Sequence, residues 1–195
     1  MKTREEIINR LMYFFYEIPE VKAVVLRGSI TTNETDRFSD IDIAVDVSGL
    51  DNGAFAIDVM PLLQNEFNIE FFDWATSLLP KEYVVSLYLR DSSIFWNIDI
   101  QFIAKPHYES LTSVNNNAIH HFLKLLNLKY LQRGHHSKLT LNKLANRCGI
   151  ENAASAYETM YKIIRLIENN ADEKLHNFIV KCEIELENYK NSKLI

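Results

Sequence analysis

The spacing of apolar residues changes character once along this chain. Over residues 4–16, Ile7, Ile8, Leu11, Met12, Phe14 and Phe15 recur at helical intervals and Pro19 closes the segment, which predicts an opening amphipathic helix. Residues 21–26 are short, β-branched and apolar, the pattern of a buried strand, and they run into Arg27-Gly28-Ser29. Residues 40–47 alternate: Ile41, Ile43, Val45 and Val47 share one face, Asp40, Asp42, Ala44 and Asp46 the other. After Gly49 and Gly53, residues 55–67 read as a helix with Pro61 at a kink or near an end. Strands are predicted over 69–75, 83–89 and 94–104, the last two joined as a hairpin through Arg90-Asp91-Ser92-Ser93.

Beyond Pro106 the period becomes helical and stays so. Helices are predicted over 116–133, 139–147, 152–168 and 172–189, with Gly134 and Gly149 as C-terminal caps. The last carries Leu175, Phe178, Ile179, Cys182, Leu186 and Tyr189 on one stripe. The expected class is α+β: a mixed-sheet domain with flanking helices over residues 1–106, followed by a helical bundle over 107–195.

Composition narrows the possibilities further. A chain of 195 residues that is 47% hydrophobic with a net charge of -5 has enough apolar surface to fold and is not a disordered polymer. No uncharged apolar run approaches the ~20 residues of a membrane span, so neither an anchor nor a signal peptide is expected. Cys148 and Cys182 lack metal-ligand spacing and read as core thiols of a reducing compartment, which points to the cytoplasm. The acidic balance disfavours a protein devoted to gripping long nucleic acid and suits small or cationic substrates.

Candidate chemistry concentrates in Gly28-Ser29, Asp40-Ile41-Asp42 and Asn97-Ile98-Asp99-Ile100-Gln101. Residues two apart on a strand project from one face, so Asp40 and Asp42 point together while Ile41 and Ile43 enter the core; Asp99 follows the same rule. If the two strands are neighbours, three carboxylates converge. Like charges about 4 Å apart repel by roughly 4 kcal/mol at an effective dielectric near 20, so such a cluster calls for neutralisation. Oxygen-only ligands select Mg²⁺ or Mn²⁺, and paired ions bridged by a carboxylate sit roughly 3.5 to 4 Å apart. Gly28 lets the backbone approach a phosphate closely, and its amide and the Ser29 hydroxyl are donors for phosphate oxygens. Acidic metal ligands beside phosphate donors point to a nucleotide.

These residues resemble the signature of the nucleotidyltransferase superfamily that includes DNA polymerase beta. The run Leu26-Arg27-Gly28-Ser29 through Ser39-Asp40-Ile41-Asp42-Ile43, with Trp96-Asn97-Ile98-Asp99-Ile100-Gln101, is similar to bacterial antibiotic nucleotidyltransferases, particularly those of the aminoglycoside 6-adenylyltransferase type. The resemblance implies that Asp40 and Asp42 hold two Mg²⁺ ions, that Asp99 completes the site and accepts the proton of the attacking hydroxyl, and that Gly28 and Ser29 bind the terminal phosphates of ATP or another nucleoside triphosphate. It implies transfer of a nucleoside monophosphate to a hydroxyl of a small acceptor, such as an aminoglycoside or lincosamide, with release of pyrophosphate. Transfer to a protein or RNA keeps the same site, and a non-catalytic nucleotide-binding scaffold is the rival from another class. Related bacterial enzymes often pair, which makes a homodimer an expectation to test.

Other signals have plainer readings. Glu70 and Asp73 lie on a predicted strand and compete with Asp99 for the third carboxylate, but Phe71-Phe72 interrupts the alternation around Asp73. Arg27 and Arg37 flank the motif, as surface charges or as contacts to the triphosphate, the former being the plainer reading. His120, His121, Lys124, Lys129 and Arg133 share one helix face, either solvated or within reach of the triphosphate; His135-His136 reads as a surface loop; Tyr157 and Tyr161 fall at a spacing commoner in a core than in a base-stacking platform and are left unassigned. No P-loop, dinucleotide fingerprint or nucleophile elbow is present in the sequence.

Overall fold

The computed structural model describes residues 2–32, 34–75, 83–105, 141–142, 145–146, 148–150, 155–170 and 173–192. The first helix, α1 (Arg4–Tyr16), starts at a capping box. The Glu6 amide donates to the Thr3 hydroxyl at 3.2 Å, and the Thr3 amide donates back to the Glu6 carboxylate at 2.7 Å. Ile7, Leu11 and Phe15 form its buried stripe, as the periodicity predicts.

Five strands make one sheet: β1 (Ala23–Arg27), β2 (Ile41–Asp46), β3 (Ile69–Ala75), β4 (Tyr83–Leu89) and β5 (Ile98–Ile103). Their order is β1-β2-β5-β4-β3. β2 and β5 run parallel and every other pair is antiparallel, so the sheet is mixed and the class is α+β, as expected. One face of the sheet is the core. Ile41, Ile43, Val45, Ile98, Ile100, Phe102, Val85 and Leu87 are buried there with the apolar stripe of α1 and residues of the second helix. The alternation read from residues 40–47 is therefore real, with Ile41, Ile43, Val45 and Val47 fully buried.

The second helix, α2 (Asn52–Glu66), begins three residues earlier than the pattern predicts. The cause is Asp51, whose carboxylate accepts from the Gly53 and Ala54 amides at 2.9 and 3.0 Å. Buried Asn52 adds a tertiary anchor by donating to the Phe102 carbonyl at 3.0 Å. Pro61 sits inside this helix rather than at its end. Ile57, four residues before it, is 49% exposed, so water can satisfy the carbonyl that Pro61 leaves without a helical donor.

The hairpin predicted between the fourth and fifth strands exists, but β5 starts at Ile98 rather than Ile94. Phe95 leaves the sheet and packs edge-on against Phe38, with centroids 5.0 Å apart. The broken alternation at Phe71-Phe72 is a register shift between Ile69 and Phe71, after which the Asp73 backbone pairs with Ser86.

The chain divides into compact units at residues 1–118 and 119–195. In the second unit, α3 (Ala156–Asn170) and α4 (His176–Ser192) pack together, joined through a 3₁₀ turn at Glu173–Leu175. Met160, Ile163, Ile164 and Ile167 are buried in α3, and Phe178, Ile179, Cys182 and Leu186 in α4. Residues 145–146 are helical, and Gly149 ends that segment with φ +66°. The Ile150 amide donates to Ala145 and the Gly149 amide to Asn146, the bond pattern of a Schellman cap. The predicted helix at 116–133, its cap Gly134, the seam at Pro106 and the basic residues from His120 to His136 lie outside the described residues. Both cysteines are free thiols.

Candidate active site

The polar face of the sheet carries the chemistry. Strand register places Arg27, Asp42, Asp99 and Ser86 side by side in one row across β1, β2, β5 and β4. Asp42 and Asp99 are direct partners on the parallel pair, so carboxylates 57 positions apart in sequence become neighbours through strand pairing. Asp40 precedes β2 by one residue and shares the parity of Asp42; both are half-buried. Strand pairing thus accounts for the juxtaposition of Asp42 and Asp99, while Asp40 is tied to them only through its parity with Asp42.

Asp99 is the most constrained of them, at 6% exposure. Its Oδ1 accepts from the Ser86 hydroxyl at 2.5 Å and from the Asn97 side-chain amide at 2.8 Å. Burial pushes its carboxyl up to about 7; the two hydrogen bonds oppose that rise, and the neighbouring charges of Asp42 and Asp40 add to it. A carboxyl poised near neutrality is matched to proton transfer.

Gly28 follows β1 and opens a 3₁₀ turn, Gly28–Thr31. Its φ is +68°, and a Cβ there would stand 2.0 Å from Asp42 Oδ2. Only glycine fits that approach. Ser29 is half-buried in the same turn, and its carbonyl accepts from the Thr32 and Glu34 amides. Gly28 and Ser29 thus sit at the end of β1 that carries Arg27, next to the carboxylate row.

Several supports were not singled out by the sequence. Arg4 of α1 donates to the Asp36 and Ser39 carbonyls at 2.6 and 3.1 Å, pinning the turn that leads into Asp40. Buried Ser39 closes that turn by accepting from the Asp36 amide at 2.9 Å. Arg27, most plainly read as a surface charge, instead reaches across β2 to donate to Gln101 on β5, passing the row where Ala44 leaves room. Arg37 is exposed and lies over the Phe38 ring, consistent with a surface role. Ser86 is the clearest missed signal: the one small polar side chain in a strand otherwise made of Val, Leu and Tyr. Tyr157 and Tyr161, to which the sequence assigns no role, form a stacked pair on α3, with Tyr161 42% exposed. Arg165 and Lys190 lie over their rings, and cations on both aromatics favour a solvated position.

Among the described residues no group of three or more His, Cys, Asp or Glu side chains forms a ready-made cage for a divalent cation. A metal reading therefore rests on the register pair Asp42 and Asp99, with Asp40 one residue before β2, and not on a formed three-carboxylate site. Two further features fit that reading. The ligands are all oxygen, and Asn97 Oδ1 is buried without a donor beside Asp99, an acceptor that water on a hydrated cation would satisfy.

Against known families, residues 1–58 match the model of streptomycin adenylyltransferase. That segment contains Gly28, Ser29, Asp40 and Asp42, whereas Asp99 lies beyond it. No curated protein sequence matches the chain. Among solved structures, a chain of the GLD-2/RNP-8 complex is similar at 15% identity and TM-score 0.42, over 83% of this chain and 48% of that one. A cytoplasmic RNA terminal U-transferase is similar at 19% identity and TM-score 0.39, over 83% and 46%. The CdnE cyclic dinucleotide synthase of Elizabethkingia meningoseptica follows at 14% identity and TM-score 0.35, over 91% and 88%. The chain spans about half the length of the first two. No helix among the described residues is long and apolar enough to cross a membrane.

Proposed function

We propose that this protein is a metal-dependent nucleotidyltransferase that moves AMP from ATP to a hydroxyl of a small molecule of the aminoglycoside or lincosamide kind. The observation that carries the reading is the pairing of Asp42 with Asp99 on adjacent parallel strands, with Gly28-Ser29 at the end of the neighbouring strand. Asp40, Asp42 and Asp99 would hold Mg²⁺. Bound there, the cation neutralises triphosphate charge and makes a coordinated hydroxyl more acidic.

The chain's own groups account for the rest. The Gly28 and Ser29 amides and the Ser29 hydroxyl face the terminal phosphates, where a side chain at position 28 would collide with Asp42. The acceptor oxygen forms a bond to the α-phosphorus as the bond to the bridging oxygen of the β-phosphate breaks, and pyrophosphate leaves with that electron pair. The hydroxyl proton passes to the Asp99 carboxylate.

The test is an incubation with Mg²⁺, each labelled nucleoside triphosphate, and a panel of aminoglycosides, lincosamides, RNA and protein acceptors. The expected result is pyrophosphate and an adenylylated small molecule, both abolished in Asp42→Asn. Label on RNA or protein alone would overturn the small-molecule acceptor. Turnover by Asp42→Asn equal to the parent would overturn the site.

A further inference from the structure

The arrangement around Asp99 is asymmetric. Its two hydrogen bonds, from Ser86 and from Asn97, converge on the same oxygen, Oδ1. Among the described residues, none donates to Oδ2. Ser86 comes from β4 and Asn97 from the residue just before β5, so both flank Asp99 from its own neighbourhood in the sheet. All three are more than nine-tenths buried, which holds these bonds away from competing water. A carboxylate can only accept, so the Asn97 amide must turn its NH₂ toward Asp99, and this leaves Asn97 Oδ1 buried without a donor.

Neither donor is explained by packing. Ser86 stands where its strand neighbours are Val84, Val85, Leu87 and Tyr88, and an alanine or valine would fill that place without a polar group to bury. What the hydroxyl adds is direction. A buried carboxylate with both oxygens free can rotate; one with a single oxygen clamped by two donors presents the other in a fixed orientation.

We propose that Ser86 and Asn97 are positioning residues. Together they clamp one oxygen of Asp99 and aim the other at a divalent cation brought to the Asp42 side of the row. This rests on the metal-site reading given above and deepens it. The two residues act through Asp99 and touch neither phosphate nor acceptor.

The experiment reads cation binding, not turnover, and needs no knowledge of the preferred base. The full chain is titrated with Mn²⁺ in the presence of inorganic tripolyphosphate, and the ternary complex is followed by the relaxation of water protons. Loss of an outer-shell partner commonly weakens metal affinity by about 10- to 100-fold. Ser86→Ala is expected to weaken Mn²⁺ binding about tenfold, and Ser86→Thr, which restores a hydroxyl at the same place, to return it close to the parent value. Circular dichroism reports whether each variant is folded. Ser86→Cys, of similar shape but a weak donor, carries the test if the alanine variant does not fold, and it too should bind weakly.

Unchanged Mn²⁺ affinity in both Ser86→Ala and Ser86→Cys, with Asp42→Asn weakened, would overturn the positioning role while leaving the metal site standing. Equal binding by the parent and Asp42→Asn would overturn the metal site and this inference with it.

Discussion

Asp99 shows how one side chain couples stability to function. Its folded carboxyl titrates near 7 against an ordinary value of 3.8, chiefly because burial disfavours the charge. The sign follows from proton binding: between these values the folded chain holds a proton that the unfolded chain has lost, so stability falls as pH rises. This contribution is fully present below about pH 4 and gone above about pH 7, with a limiting slope of roughly 1.4 kcal/mol per pH unit between them. Asp46, whose carboxyl is held low mainly by Ser48, acts with the opposite sign but only in more acidic solution. Asn at position 99 keeps an oxygen to accept from Ser86 and Asn97 and carries no charge. In metal-free buffer, Asp99→Asn should therefore melt higher than the parent at pH 8, with the gap shrinking toward pH 5. Thermal melts across that range check it, and a gap that does not vary with pH would refute the assignment. The third aspartate was legible in the sequence because Ile98, Ile100 and Phe102 alternate around it. Its clamp was not, because Ser86 lies 13 positions away on a strand otherwise made of Val, Leu and Tyr, and only the register of β4 against β5 brings the two together.

Among elements, those fixed by apolar spacing were read correctly, and those set by a cap or a tertiary contact were misplaced. The stripe of α1 and the alternation of β2 lie in spacing alone. The start of α2 depends on Asp51 capping two amides and on Asn52 reaching Phe102, neither of which an apolar pattern encodes. β5 begins late because Phe95 is claimed by Phe38, a contact across 57 positions. The turn after β1 separates stability from function most cleanly. Gly28→Ala places a left-handed residue at a cost of roughly 1–2 kcal/mol and also drives its Cβ into the Asp42 carboxylate. Asp51→Ala costs about 1 kcal/mol through the lost cap and leaves the carboxylate row untouched. Melting should drop in both variants, further in Gly28→Ala, while nucleotidyl transfer collapses only in Gly28→Ala. Equal transfer in both would show that the close approach of Gly28 to Asp42 has no catalytic weight.

For the whole molecule, the acidic balance was visible from composition, and it bears on which acceptor the site can attract. A net charge of -5 sets up a field that draws in a polycation and repels a polyanion, and the effect fades as salt shortens the Debye length from about 10 Å at 0.1 M toward 3 Å at 1 M. Under the proposed reaction, ATP would arrive against that field with its cation and an aminoglycoside along it. If the acceptor is an aminoglycoside, raising salt from 50 to 500 mM should increase its KM by roughly threefold to tenfold, because long-range attraction is lost while the short-range contacts of the bound state remain. Over the same range kcat should change little, since the reacting groups lie together in a partly buried row that mobile ions screen weakly. An uncharged hydroxylated acceptor should show a flat KM, and an RNA acceptor repelled by the net field should not bind more weakly as that repulsion is screened. Initial rates against acceptor concentration at several salt levels separate these cases. A KM for aminoglycosides that ignores salt would mean that short-range contacts alone select the acceptor, and the acidic balance would then say nothing about the substrate.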